Sequence, residues 1–241
     1  MWQLLVATAL AVASGAFAQS VTGFGFSMVA IPLVSFVLGP AEAVVVVTVV
    51  ACLLTIGASW RHREDVQWPV ASRMVLAGVV GMPLGLAALT LVDERRLAMG
   101  IAVVIAAFAV LTFVGFSLKR STASTVGAGL TSGAFLTSAG VNGPPLVAAL
   151  QAMGFSPRQM RATLQATFAV QDVLAVAGFA AVGHVEGRTW LLAAVGVPGL
   201  VVGWLLGEKV FDRVDRRTFR GLVLVVLLVS AVLLFLNGLR G

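Results

Sequence analysis

The chain lacks most of what a soluble active site would need. It has one cysteine, Cys52, and two histidines, His62 and His184, in 241 residues. A disulfide framework and a cysteine-based metal site are therefore excluded, and most histidine catalysis and transition-metal chemistry go with them. Neither a catalytic residue nor a metal or other cofactor is expected. Charge is scarce as well: 11% of residues are charged, where an ordinary soluble domain has about 25%.

What fills the space is apolar. Hydrophobic residues make up 59% of the chain and the mean hydropathy is +1.03. A water-soluble globule of this size cannot bury that much apolar surface, so a soluble enzyme is excluded and the lipid bilayer becomes the expected solvent. A net charge of +6 and a pI near 11.2 would suggest nucleic acid in a soluble protein. Here they fit a membrane protein whose positive charges gather on one side, and no nucleic-acid partner is expected.

The first residues, up to Ala16-Phe17-Ala18, look like a secretory leader with a cleavage site. No Lys or Arg precedes the apolar run, however, and Gly15-Ala16-Phe17 returns as Gly133-Ala134-Phe135 in mid-chain. The segment is read as part of the mature protein. The recurrence goes further. Each copy leads into a polar, glycine-rich stretch that closes on Pro-Leu-Val, at Pro32 and at Pro145; Trp68 and Trp190 each open an apolar segment, and Pro83 and Pro198 each sit among glycines. Two repeats follow, 1–120 and 121–241, forming one integral membrane unit.

Each repeat begins with two short apolar segments, about 4–18 and 24–38, then 123–138 and 143–153. Three longer ones follow, about 41–60, 69–92 and 98–118, then 159–183, 189–207 and 219–237. A spanning helix needs about 20 apolar residues, so the short pairs are marginal and the longer segments are ordinary spans. As a re-entrant hairpin or as two passes, a short pair returns to the side it left. Three further spans give each half odd parity, so the halves are inverted with respect to each other. The expected fold is an all-α polytopic membrane protein of two inverted repeats, each a broken or re-entrant helix pair followed by three spanning helices.

Charge sets the orientation. Twelve basic residues fall on one side: Arg61, Arg63, Arg73, Lys119, Arg120, Arg158, Arg161, Lys209, Arg213, Arg216, Arg217 and Arg220. Four fall on the other: Arg95, Arg96, Arg188 and Arg240. The richer side is expected in the cytoplasm and both termini outside.

Irregular backbone at membrane depth is tolerated where it lines a cavity or is buried in protein, and matching breaks in inverted halves point to a transporter's site. Gln19, Thr22, Gly23 and Gly25 mark the first break; Thr137, Ser138, Gly140, Asn142 and Gly143 mark the second. Unpaired N–H groups and the positive ends of helix dipoles suit a small anionic substrate. The competing reading gives the glycines to tight helix packing and the hydroxyls to nearby carbonyls. The inverted duplication, with Gln and Asn beside it, favours the binding site.

On the helix after the second break, Arg161, Gln165 and Asp172 fall within about 40° of one another at 100° per residue. Gln165 joins the candidate substrate contacts. Asp172 is a lone carboxylate deep in an apolar segment, where a charge costs about 2.5–3.5 kcal/mol on insertion scales. It is the candidate coupling residue for protons; the alternative is an interhelical hydrogen bond or salt bridge. Setting Pro40 against Pro157 puts Thr48 opposite Gln165 and Thr55 opposite Asp172. Arg158 and Arg161 are read as snorkelling anchors, with an anion-attracting vestibule as the second reading. Glu42 is read as a helix cap.

The run Gly23-Phe-Gly-Phe-Ser-Met-Val-Ala-Ile-Pro32, the motif Gly143-Pro-Pro-Leu-Val, the following Arg161-Ala-Thr and the duplicated layout together resemble the sulfite exporter TauE/SafE family along the whole chain. The resemblance implies a plasma-membrane transporter of small anions such as sulfite, sulfoacetate, another organosulfonate or a small carboxylate. Phe24 and Phe26 interrupt a break that is more glycine-dense in many members. Two neighbouring readings are a passive anion channel and a non-transporting membrane scaffold. An intramembrane protease would need a serine beside a membrane histidine, or paired aspartates, and has neither.

Overall fold

A computed structural model describes residues 2–211 and 216–240. It is all-α: ten helices and one 3-10 turn, with no strand among the described residues. In chain order the helices are α1 (Trp2–Thr22), α2 (Phe26–Leu38), α3 (Pro40–Arg61), α4 (Trp68–Leu91), α5 (Glu94–Phe113), α6 (Thr122–Ala139), α7 (Gly143–Gln151), α8 (Pro157–Ala181), α9 (Gly187–Phe211) and α10 (Arg216–Arg240). Among the described residues, six helices are long and apolar enough to cross a membrane: α1, α3, α4, α5, α8 and α9.

The local sequence explains where the helices stop and start. Pro40 and Pro157 occupy the first positions of α3 and α8, where a missing N–H costs nothing. Ser156 and Gln159 cap α8 reciprocally, the Gln159 N–H donating to Ser156 Oγ at 3.2 Å and the Ser156 N–H to Gln159 Oε1 at 3.1 Å. Asp93 caps α5 by accepting from the Arg96 N–H at 2.9 Å. That cap corrects an expected start near 98, because charged Arg95 and Arg96 lie inside the helix. The helix also ends earlier than expected, at Phe113. Likewise α1 runs on to Thr22 beyond the expected 18, since Gln19 and Ser20 are polar but compatible with a helix. Of the paired short segments, the brief members are α2 with 13 residues and α7 with nine.

Packing exchanges partners between the two expected repeats, 1–120 and 121–241. The first helix of each half lies along the fourth helix of the other, α1 on α9 and α6 on α4, while α3 packs on α8 and α5 on α10. Glycine makes the exchanged contacts close. On α4 a Cβ at Gly81 would overlap the Leu130 carbonyl oxygen, and one at Gly85 the Ala134 carbonyl oxygen. On α9 a Cβ at Gly199 would overlap the Ala9 carbonyl oxygen, and one at Gly203 the Ala13 carbonyl oxygen. The spacing of 78, 81 and 85 is the spacing of 196, 199 and 203.

The ends of the bundle are sorted. At one end Glu42 pairs with Arg188 at 3.1 Å, Glu94 lies beside Gly39, and Arg95 donates to the Leu239 carbonyl at 2.8 Å. Glu42 is thus half of an ion pair rather than only a cap. At the other end the Gln67 N–H donates to Thr163 Oγ1 at 3.0 Å and the Leu118 N–H to the Ala148 carbonyl at 3.0 Å. Residues 212–215, which include Arg213 of the expected cytoplasmic set, lie outside the described residues.

Candidate functional site

Both helix breaks face one small cavity. Gly23 (φ 84°) and Gly25 (φ 102°) turn the chain between α1 and α2 in a region that side chains rarely enter. Gly140 (φ 66°) ends α6, and the Val141 N–H reaches back to the Phe135 carbonyl at 3.2 Å. The cavity is about 20 Å³ and is lined by Gln19, Gly25, Ser27, Thr55, Asn142 and Asp172, with Phe26, Pro144 and Phe168 among its apolar neighbours. That is room for about one water molecule.

Its polar groups come from four helices and the second break. Gln19, buried at the end of α1, accepts the Phe26 N–H on Oε1 at 3.2 Å and so caps α2 across the break. Asn142 caps nothing; its Nδ2 donates to Asp172 Oδ1 at 3.3 Å. Thr55 Oγ1 donates to Asp172 Oδ2 at 3.0 Å. Asp172 is fully enclosed, and each carboxylate oxygen holds a donor. No salt bridge to Asp172 is present among the described residues. The second break offers fewer amide donors than the first, because Pro144 and Pro145 open α7 without N–H groups.

The other candidates sit elsewhere. Gln165 is fully buried below the cavity and donates Nε2 to the Gly23 carbonyl at 3.1 Å. Thr137 is turned away: its hydroxyl bonds to the Met82 carbonyl at 2.7 Å, joining α6 to α4. Ser138 returns its hydroxyl to the Ala134 carbonyl of its own helix at 2.8 Å. Gly140 packs on Ile31, whose Cδ1 a Cβ would overlap, and Gly143 lies against Phe24 and Phe168. The Thr22 side chain lies outside the described residues. Ser27, missed in the sequence, lines the cavity directly after the Gly-Phe-Gly-Phe run that marks the break.

Arg161 departs from a snorkelling anchor. Its side chain is only partly exposed, its guanidinium lies over the Trp204 ring at 5.6 Å, and its Nε is buried without a partner. Beside it, His62 is held below the usual histidine range, first by burial and then by the positive charges of Arg161 and Arg61.

Comparisons with known proteins agree on one family. The model of the family described as "Sulfite exporter TauE/SafE" matches residues 7–234. A curated protein of Cupriavidus necator, described as "Probable sulfite/organosulfonate exporter TauE", is 27% identical over 210 residues, covering 81% of this chain and 80% of its own. No solved structure matches.

Proposed function

The chain belongs to the sulfite exporter TauE/SafE family, and from that premise we propose that it carries a small sulfur-containing anion, sulfite or an organosulfonate, across the plasma membrane. The observation that carries this reading is the meeting of the two breaks, one from each half, at a single polar cavity with Gln19 and Asn142. In this reading α1–α2 and α6–α7 are re-entrant pairs entering from opposite sides. The exchanged contacts, α1 on α9 and α6 on α4, are what two inverted repeats would make.

The mechanism is alternating access. A cavity of about 20 Å³ cannot hold a sulfur oxyanion with its contacts, so the site must widen to take its substrate. Substrate enters when one half rocks against the other and the cavity opens to one side. The N–H groups at the start of α2 and the Asn142 amide then meet the anion, with Gln19 holding the first break in shape. Asp172 is the proton site. Its oxygens face Thr55 and Asn142 and, among the described residues, no cation, so a proton loaded from one side accompanies the anion and reduces the net charge moved across the membrane potential.

Purified protein in proteoliposomes, given sulfite, sulfoacetate and a small carboxylate with and without an imposed pH gradient, tests the reading. Saturable flux of a sulfur anion that responds to the gradient supports it. Flux of none of them, with a phenotype indifferent to Asn142→Leu, returns the protein to the scaffold class.

A further inference from the structure

Among the described residues, three buried side-chain polar atoms lack a partner: Gln19 Nε2, Arg161 Nε and Gln165 Oε1. All three belong to residues gathered at the first break. Gln19 holds the Phe26 N–H, Gln165 holds the Gly23 carbonyl, and the Arg161 Cγ lies 3.9 Å from where a Cβ on Gly23 would stand. Gln19 and Gln165 are more than nine-tenths buried, where an unpaired amide atom is costly and calls for an occupant. Gly23 is a glycine by conformation; its N–H donates to the Gln19 carbonyl at 2.7 Å and its carbonyl accepts from Gln165, so the turn is a fixed wall beside the arginine.

We propose that Arg161 and Gln165, set against the Gly23 turn, form a second oxyanion-binding station, separate from the central cavity and on the end of the bundle that carries Arg61 and Gln67. It rests on the transport reading above and names what greets the substrate first. Neither Arg161 nor Gln165 lines the central cavity. They stand eleven and seven residues before Asp172 on one helix, about 16 and 10 Å along its axis at 1.5 Å per residue. The station is therefore displaced from Asp172 towards the start of α8.

The chemistry fits a small sulfur oxyanion. The guanidinium offers a planar fork matched to two oxygens, and it lies over the Trp204 ring at 5.6 Å. No carboxylate forms a salt bridge with Arg161 among the described residues; Glu208, one turn beyond Trp204, is near enough to act on its charge but does not pair with it. The Gln165 Oε1 acceptor takes an O–H of the anion or of one water left in its shell. From here the anion has the Gln19 amide on its way to the cavity.

The test is sided kinetics. Vesicles oriented with the Arg61 end outward, and their inverse, are loaded with sulfite or sulfoacetate, and KM and maximal rate are measured on each face. Arg161→Gln is expected to raise KM on the Arg61 face at least about tenfold, the loss of one strong charge-assisted contact, with KM on the opposite face unchanged. Arg161→Lys should recover part of the loss, since it restores charge without the fork. Arg161→Met keeps the stem on Trp204 and replaces the glutamine variant if that one does not fold. An unchanged KM on the Arg61 face overturns the station, as does an equal fall in rate on both faces with KM constant, which would make Arg161 structural. If Asn142→Leu disables transport while Arg161→Gln does nothing, the station fails and the transport reading stands. Wild-type protein that moves neither anion defeats both.

Discussion

Thr55 and Asp172 stand at the same position of two helices and bond to each other. Each lies fifteen residues after the proline that opens its helix, and the Thr55 hydroxyl donates to the Asp172 carboxylate at 3.0 Å. In the proposed inverted-repeat arrangement, corresponding positions touch where the two-fold relation between α3 and α8 passes between them. The carboxylate therefore lies where the halves meet, and any rocking of one half against the other is felt there.

Asp172→Asn is expected to insert and fold, since the amide still bonds Thr55 and fills the same volume. Anion flux should lose its response to an imposed pH gradient, and proton-driven flux should fall about tenfold or more, the equivalent of 1.4 kcal/mol. Fluorimetric flux in proteoliposomes decides it. A full rate with a full gradient response removes Asp172 from the coupling step.

Asn142→Leu removes the Asp172 Oδ1 donor and a polar wall of the cavity. Anion affinity should fall roughly 10- to 100-fold, the range for a hydrogen bond to a charged group. Equilibrium binding of sulfite to detergent-purified protein checks it. Unchanged affinity in a monodisperse sample would place the anion elsewhere.

Gly133→Ala sets a Cβ into the Gly78 carbonyl on the facing helix. Overpacking of this kind costs about 1–3 kcal/mol and should lower Tm by roughly 2–12 °C in a chain of this length. Gly100→Ala meets nothing within 4 Å and should leave Tm in place. Thermal melting of the two purified variants gives the comparison.

Single cysteines in a Cys52→Ala background, at Glu64, Arg213 and Gly183, test topology with an impermeant maleimide. Residues 64 and 213 should label from the cytoplasm and residue 183 from outside. Labelling of 64 and 213 from opposite faces would refute the inverted arrangement.

Much of this was readable before any coordinates. The breaks at 23–25 and 140–142 are written in glycine, and Pro40 and Pro157 set the register that pairs Thr55 with Asp172. Less readable was the direction of small polar side chains. Thr137 and Ser138 look like ligands because they adjoin a break, yet Ser138 bonds the preceding turn's carbonyl and Thr137 divides its hydroxyl between that turn and Met82 on α4. The stripe Gly78, Gly81 and Gly85 looked like punctuation around Pro83. Its purpose depends on the Leu130 and Ala134 carbonyls of another helix, which no local pattern names.

The exchanged helices also set an order of biogenesis. When α6 leaves the ribosome, α4 already waits in the membrane to receive it. α1 has no such luck: its carbonyl face at Ala9 and Ala13 matches Gly199 and Gly203, which are translated 190 residues later. At about 5–20 residues per second, that is about 10–40 s during which α1 sits beside lipid or a chaperone instead of its partner. The nascent chain is therefore most vulnerable at its beginning, and the last glycines to be made are the ones that complete the first helix's packing.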